Sequence, residues 1–259
     1  MTATRADPYA PLAHYYDLEI SAFEDDISMY LDLARESPGP VLELGIGTGR
    51  VGLALAEHGY DVTGIDTSEA MLAIAQERAA SARRSIELLL ADMRDFDLER
   101  RFGLVVCALG SFRHLLTEED RLQTLQRVRE HLEPAGRFVL HVPAWHTMSW
   151  EPNPPPVLFD WSRTNPETDN VVTKFNVVRP NGAEQLQVLT LMYDEQDSLG
   201  SIRRLTVEMP LYTPTRSELA LLFGQAGLRA LDWHGGFDFG PYDALSPELI
   251  AIAAREEAR

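Results

Sequence analysis

Residues 41–50 read Val-Leu-Glu-Leu-Gly-Ile-Gly-Thr-Gly-Arg, an apolar run that ends in a turn with three glycines. Val51, Ala54, Leu55 and His58 follow at the spacing of one helix face. Glycine has no Cβ, so it permits a positive φ and lets a ligand approach the main chain. The free N–H groups at a helix start carry partial positive charge. The segment therefore predicts a strand, a tight turn and a helix start that faces a nucleotide-like ligand.

The composition suits one large α/β domain, or such a domain with an insertion, because the chain has 259 residues and is 45% hydrophobic. No apolar run approaches the ~20 residues that span a bilayer, and the polar start is unlike a signal peptide. The only cysteine, Cys107, favours a reducing cytoplasm. A net charge of −17 argues against nucleic-acid binding, which usually needs a basic face. We therefore expect a cytoplasmic protein with neither a nucleic-acid nor a membrane partner.

Strand-like and helix-like segments alternate through residue 142. The predicted strands of this part are 41–44, 61–66, 86–91, 104–108 and 137–142, with helices at 22–35, 51–58 and 69–82 and another after Thr117. Ser68 and Thr117 are expected to cap the helices that follow them. A helix from residue 213 to 226 and strands at 228–233 and 249–254 close the chain. This alternation predicts an α/β, Rossmann-like, doubly wound and mostly parallel sheet.

The pattern changes at residues 151–156, where Glu-Pro-Asn-Pro-Pro-Pro fits neither a helix nor a central strand. Three strand-like segments follow, near 171–178, 186–193 and 202–209. We interpret residues 146–212 as an antiparallel β insertion into a core made of residues 1–145 and 213–259. The insertion is expected to be either a substrate lid or an oligomerisation surface, with a homodimer as the simplest assembly.

The glycine turn fits two kinds of ligand. Gly47, Gly49 and Gly52 match the dinucleotide fingerprint, and Asp66 lies where a ribose-binding acid belongs. An NAD(P)- or FAD-dependent oxidoreductase is therefore one alternative. Glu43 favours another ligand, because an acid behind the first glycine suits an ammonium or sulfonium group better than phosphates.

At these residues the chain resembles the class I S-adenosylmethionine-dependent methyltransferases. The segment Glu43–Gly49 is similar to their glycine-rich motif, and residues 107–111 and 134–137 are similar to their turns around the fourth and fifth strands. The resemblance implies strand order 3-2-1-4-5-7-6 with strand 7 antiparallel, and S-adenosylmethionine as cofactor. It also implies that Asp66 binds the ribose hydroxyls and that Asp92 and Met93 contact the adenine. The predicted cofactor-binding residues are Tyr15, Glu43, Gly45, Gly47, Gly49, Arg50, Asp66, Thr67, Met71, Asp92, Met93 and Ala108. Arg50 has two open interpretations, a surface residue at a helix start or a contact of the ligand carboxylate.

A narrower resemblance concerns the methyl acceptor. Tyr15-Tyr16-Asp17 and Ser111-Phe-Arg-His-Leu115 are similar to segments of glycine and amino-sugar N-methyltransferases. It implies a small-molecule acceptor, with N-methylation ahead of O-methylation, and a tyrosine, Tyr15 or Tyr16, over the sulfonium. Gly110 departs from the pattern, because asparagine is common at that position.

Methyl transfer needs alignment, exclusion of water and removal of a proton from the acceptor. His114 is the preferred base, since it follows the fourth strand and its ordinary pKa suits the task. Tyr15 completes the predicted catalytic pair, and His141 is the next histidine candidate. No residues have metal-ligand spacing, so we expect no metal. A non-catalytic, cofactor-binding regulatory protein is the remaining alternative.

Overall fold

The computed structural model describes residues 7–20, 23–145, 155–181 and 185–256. The helices are α1 (Ala13–Ile20), α2 (Ile27–Glu36), α3 (Arg50–Glu57), α4 (Glu69–Ser81), α5 (Glu118–His131) and α6 (Arg216–Ala226), with a short 3-10 helix at Ser111–His114. The strands are β1 (Val41–Leu44), β2 (Val62–Asp66), β3 (Glu87–Leu90), β4 (Phe102–Cys107), β5 (Leu132–Pro143), β6 (Leu158–Thr164), β7 (Val171–Asn181), β8 (Leu186–Gln196), β9 (Ile202–Tyr212), β10 (Leu228–His234) and β11 (Glu248–Arg255).

Seven of the strands form one sheet in the order β10-β11-β5-β4-β1-β2-β3. Strands β1 to β5 run parallel to one another, whereas β11 is antiparallel to both β5 and β10. When the strands of this sheet are counted along the chain, the order is 3-2-1-4-5-7-6 with the seventh strand reversed. The predicted fold class is therefore confirmed.

Helices cover both faces of this sheet. Leu42 and Leu44 of β1 pack in the cluster that contains Leu125 of α5 and Phe223 of α6. Val41 packs on the opposite face, in the cluster with side chains of α2 and α3. Side chains alternate along a strand, so Glu43 shares the face of Val41 and lies against α3.

Side-chain caps fix where three of the helices begin. Ser68 accepts a hydrogen bond from the N–H of Met71 at the start of α4, and Thr117 accepts one from Asp120 in α5. Thr215 does the same for α6. The caps predicted at Ser68 and Thr117 are confirmed, and both helices start directly after a turn that follows the sheet.

The remaining strands form a second, antiparallel sheet in the order β6-β7-β8-β9. Three strands were expected here, and β6 is the fourth. It is an edge strand with mostly exposed side chains, so it lacks the apolar alternation that marks a half-buried strand. The predicted start of the insertion at residue 146 lies outside the described residues, and the domain limits stay a prediction.

Helix α1, which the sequence did not predict, lies between this second sheet and the core. Leu12 and Tyr15 pack in a cluster with Met71 of α4 and Tyr193 of β8. The amino-terminal segment is thereby held beside the glycine turn.

Candidate functional site

The glycine turn follows β1 at the point where the strand order reverses, because β2 and β4 lie on either side of β1. Gly45, Gly47 and Gly49 have φ of +68°, +56° and +84°, which favours glycine. A Cβ on Gly45 would lie 2.8 Å from the Cβ and Oγ of Ser111. Among the described residues, a Cβ on Gly47 would have only the Cε1 of Tyr16 within 4 Å, at 3.8 Å. The space beside the main chain is therefore filled by Ser111 at Gly45 and is open to a ligand at Gly47.

Asp66 ends β2 with its carboxylate against this turn. Its Oδ2 accepts a 2.8 Å hydrogen bond from the N–H of Gly47, and its Oδ1 accepts one of 2.9 Å from the N–H of Ser68. Burial raises the pKa of Asp66, while the N–H groups of Ser68, Gly47 and Thr67 act in the opposite direction. The exposed Thr67 follows at the same edge. Asp66 thus fixes the turn and keeps lone pairs for ligand hydroxyls.

Glu43 lies beneath the turn and is 3% exposed. Burial raises the pKa of its carboxyl to about 8, against the opposing effects of the Arg50 guanidinium and the N–H of Gly52. The Oε2 atom has no hydrogen-bond partner among the described residues. A buried carboxyl with one unpartnered oxygen is a group whose ionised form a positively charged ligand would stabilise.

Arg50 begins α3, but its guanidinium is buried. Nη1 and Nη2 each donate a 2.6 Å hydrogen bond to the carboxylate of Asp26, which is 0% exposed. Nη1 also donates to the carbonyl of Phe23. The surface interpretation of Arg50 is therefore wrong, because Asp26 supplies a buried bidentate partner. A contact of Arg50 with the ligand stays a prediction.

Asp92 and Met93 follow β3 at the same edge of the sheet. The Asp92 carboxylate pairs with Arg94 at 2.6 Å, and Arg94 also pairs with Asp120 at 2.9 Å. The Cε of Met93 lies 3.5 Å from the position that a Cβ on Gly45 would take. Met93 therefore borders the turn, while Asp92 is tied to Arg94. Their contact with adenine stays a prediction.

The segment after β4 packs against the glycine turn through Ser111. The carbonyl of the buried Ala108 accepts hydrogen bonds from the N–H and the hydroxyl of Ser111, at 3.1 and 3.0 Å. Ala108 and Ser111 thus bring the segment after β4 next to Gly45.

His141 supports this segment from β5. Its Nδ1 accepts a hydrogen bond from the N–H of Leu109 at 3.2 Å, and its Nε2 lies 2.8 Å from the Oε2 of Glu248. Both ring nitrogens are therefore engaged, which fits a positioning role for His141 better than that of a base.

The two amino-terminal tyrosines point in different directions, since neighbouring helical residues are about 100° apart. Tyr15 stacks on Tyr193 with ring centres 5.0 Å apart, and its hydroxyl donates to Glu195 at 2.7 Å. Tyr16, in contrast, contacts the glycine turn at Gly47. Tyr15 therefore packs against the second sheet rather than on the glycine turn, which favours Tyr16 of the two candidates; a position over the cofactor stays a prediction. Met71 is 2% exposed and packs with Tyr15 rather than on the turn.

His114 lies beside a residue that sequence reasoning missed. The hydroxyl of Tyr9 is 2.8 Å from the Nε2 of His114. Burial raises the pKa of Tyr9, so its phenol is protonated and the hydrogen bond joins a neutral hydroxyl to the imidazole. The Tyr9 ring also meets the edge of Tyr16, 5.9 Å between centres. The only sequence signal for Tyr9 is an aromatic residue between two prolines near the chain start.

Within the described ranges, no three His, Cys, Asp or Glu side chains are grouped so that they could hold a metal ion. No helix in the same ranges has the length and apolarity needed to cross a membrane.

The site thus combines an open main chain at Gly47, a carboxylate at Asp66 and a buried acid at Glu43 whose Oε2 has no partner among the described residues. These groups fit a ligand that carries both sugar hydroxyls and positive charge. Tyr16 supplies an aromatic cover, and the pair of Tyr9 and His114 lies next to it. Such an arrangement can bind a charged nucleoside and accept a proton beside it.

Residues 41–136 match the family model of a methyltransferase domain. The chain is 35% identical over 102 residues to a glycine/sarcosine N-methyltransferase of Aphanothece halophytica, covering 39% of this chain and 38% of that protein. It is 34% identical over 155 residues to a dTDP-3-amino-3,6-dideoxy-alpha-D-glucopyranose N,N-dimethyltransferase of Streptomyces fradiae. This match covers 57% of this chain and 59% of that protein. The chain spans about half the length of the curated relatives it matches.

A solved structure of an S-adenosylmethionine-dependent methyltransferase from Clostridium acetobutylicum ATCC 824 has the same fold. It aligns with a TM-score of 0.80 over 97% of this chain and 100% of that one, at 18% identity. The predicted resemblance is therefore confirmed for the methyltransferase domain and for the fold.

Proposed function

We propose that this chain is an S-adenosylmethionine-dependent methyltransferase that transfers a methyl group from S-adenosylmethionine to a small metabolite. The observation that carries the proposal is the hydrogen bond between the Asp66 carboxylate and the N–H of Gly47. It holds a hydroxyl-binding acid against an open glycine turn, at the crevice where α/β sheets bind nucleosides.

The residues around the turn fit the parts of this cofactor, which supplies a methyl group on a positively charged sulfur. Asp66 binds the ribose hydroxyls, and Met93 borders the adenine. Glu43 supports the positive charge from below, because its Oε2 has no other partner among the described residues. Tyr16 covers the side where Gly47 is open.

His114 is the group that takes a proton from the methyl acceptor. An amine nitrogen attacks only with its lone pair free, and a base within hydrogen-bond reach keeps it so. A hydrogen bond from its Nε2–H to the Tyr9 hydroxyl oxygen orients the imidazole, so the proton is taken up at Nδ1. Alignment of the two reactants and exclusion of water by the amino-terminal segment supply most of the acceleration.

The acceptor atom is proposed to be an amine nitrogen, with a hydroxyl oxygen as the second choice. The proposal is supported by the two N-methyltransferase relatives described above. The four-stranded sheet stands as a lid over the acceptor or as a homodimer interface, and the protein acts in the cytoplasm. The relatives give no support to the oxidoreductase alternative.

The test is methyl transfer from S-adenosylmethionine labelled with deuterium in its methyl group. The protein is incubated with panels of small amines and hydroxyl compounds and with a metabolite extract, and labelled products are sought by mass spectrometry. We expect label in an amine together with stoichiometric S-adenosylhomocysteine. Binding of the cofactor with no labelled product in panel or extract would favour the regulatory alternative instead.

A further inference from the structure

Arg113 occupies the boundary between the core and the four-stranded sheet. Its stem packs on Gly110, since a Cβ on that glycine would lie 3.1 Å from the Arg113 Cδ. Its Nε donates a 3.0 Å hydrogen bond to the Oγ1 of Thr213, which also accepts one of 3.1 Å from Gln187 of β8. The guanidinium is therefore fixed in place by neutral groups from both parts of the fold.

No acid neutralises this guanidinium among the residues that the structure describes. Arg50, Arg94 and Arg121 each contact a carboxylate, whereas Arg113 does not. Burial lowers the pKa of Arg113 to about 10, and only Tyr9 acts in the opposite direction. The chain has 40 acidic and 23 basic residues, so acids are not scarce. A largely desolvated cation without a counter-ion is costly, and such groups concentrate at binding sites.

Arg113 also lies on the acceptor side of the proposed site. It directly precedes His114, and its charge acts on Tyr9, which is hydrogen bonded to that histidine. In the described part of the chain, its two terminal nitrogens have no hydrogen-bond partner, and the residue is partly exposed. An entering molecule can therefore reach the paired N–H donors.

We propose that Arg113 binds an anionic oxygen group, a carboxylate or a phosphate, on the methyl acceptor. The inference rests on the proposed function and narrows its acceptor to amines that carry such a group. A guanidinium fork matches both anions in a bidentate manner, which fixes the orientation of the bound molecule. In a protein of net charge −17, a local cation is what allows an anion to enter.

The first test measures anion binding to the protein saturated with S-adenosylhomocysteine. Melting temperatures are followed against acetate and, separately, against inorganic phosphate, with chloride holding the ionic strength constant. We expect one of these anions to stabilise the wild type, which distinguishes a carboxylate site from a phosphate site. Arg113→Gln should weaken the apparent affinity about 10-fold or more. Arg204→Gln, which removes an exposed arginine paired with Asp194, should leave it unchanged.

A second variant covers the case in which Arg113→Gln does not fold. Arg113→Lys keeps the charge but loses the fork, so we expect a weakening of about 10-fold with this variant too. The inference would be overturned if neither anion raised the melting temperature of the wild type. It would also be overturned if the anions raised the melting temperatures of the wild type and the Arg113 variants equally. Calorimetry with S-adenosylhomocysteine on the same samples separates the two claims. A wild type that does not bind it contradicts the proposed function, whereas normal binding without an Arg113 effect contradicts only the anion site.

A third arm uses matched acceptors. For an amine that is methylated both as a carboxylate and as its amide, Arg113→Gln should raise KM for the carboxylate and leave the amide unaffected. The phosphate arm compares ethanolamine phosphate with ethanolamine. An equal rise in KM for the charged and the uncharged acceptor of a pair would indicate a merely structural role for Arg113 and would overturn the inference.

Discussion

The Asp66 carboxylate accepts a 2.8 Å hydrogen bond from the main-chain N–H of Gly47, 19 residues earlier in the chain. This contact joins the ends of two neighbouring parallel strands, β1 and β2, and sets the shape of the glycine turn. The same carboxylate accepts the N–H of Ser68, where α4 begins. One side chain therefore organises the turn and offers its remaining lone pairs to a ligand.

The two adjacent tyrosines should separate cofactor binding from packing. Tyr16→Leu removes the aromatic cover at Gly47, so we expect the dissociation constant for S-adenosylhomocysteine to rise about 10-fold. Tyr15→Leu removes the stacking on Tyr193 and the hydrogen bond to Glu195, so it should lower the melting temperature and leave that constant unchanged. Calorimetry and thermal melting of both variants check this. Weaker binding by the Tyr15 variant alone would reverse the assignment.

Glu43 should make stability depend on pH. The pKa of its carboxyl in the folded protein is about 8, above its ordinary value of 4.5, so the folded state holds the proton more tightly than the unfolded chain. Its contribution is full below the ordinary value and is lost as pH rises through about 8. Glu43→Gln has no such proton to lose.

We therefore expect the wild type to lose stability relative to Glu43→Gln between about pH 5 and about pH 8, by on the order of a few kcal/mol. Thermal melting of the ligand-free proteins measures the difference. Glu57→Gln, at an exposed position at the end of α3, is the control and should follow the wild type. If the melting temperatures of the wild type and the Glu43 variant changed with pH in parallel, the Glu43 carboxyl would not be desolvated.

The pair of Arg50 and Asp26 should dominate the stability of the α2–α3 contact. Asp26→Asn leaves a buried guanidinium without its counter-ion, which costs about 3–5 kcal/mol. A fall in melting temperature of about 10 °C is the expected result. Asp32→Asn breaks an exposed pair with Arg35 and should have almost no effect. Similar melting of the two variants would contradict the structural role of Arg50.

His114 should affect turnover without affecting cofactor binding. If the imidazole takes the proton of the acceptor, His114→Gln lowers kcat by about 100-fold or more. Tyr9→Phe keeps the ring and removes the hydrogen bond to His114, so it should lower kcat less than His114→Gln does. His58→Gln, at an exposed position after α3, is the matched control. An unchanged kcat for the His114 variant would mean that the acceptor loses its proton to solvent.

The sequence predicts the core of this fold because its signals are local. Strands buried on both faces, such as β4, are continuous apolar runs, and the caps at Ser68 and Thr117 lie next to the helices that they start. Helix α1 gives no such signal, since Tyr15 faces the second sheet while Tyr16 faces the turn. Buried residues on more than one side hide the helical period.

Predictions for the site fail where the partner is distant in sequence. Gly45, Gly47 and Asp66 come together as expected because the ends of neighbouring parallel strands meet at one edge. Asp26, 24 residues before Arg50, cannot be recognised as its partner from spacing. The contact between Tyr9 and His114 spans 105 residues and depends on how the amino-terminal segment packs.

Calorimetric titration of the wild type and of Asp66→Asn with S-adenosylmethionine and with NADH distinguishes a methyltransferase site from a dinucleotide site. We predict that the wild type binds S-adenosylmethionine and not NADH, and that Asp66→Asn weakens this binding about 10-fold or more, because an amide cannot match a carboxylate as acceptor of ribose hydroxyls. Asp61→Asn, at an exposed acid before β2, should bind like the wild type. Binding of NADH without binding of S-adenosylmethionine would contradict the account.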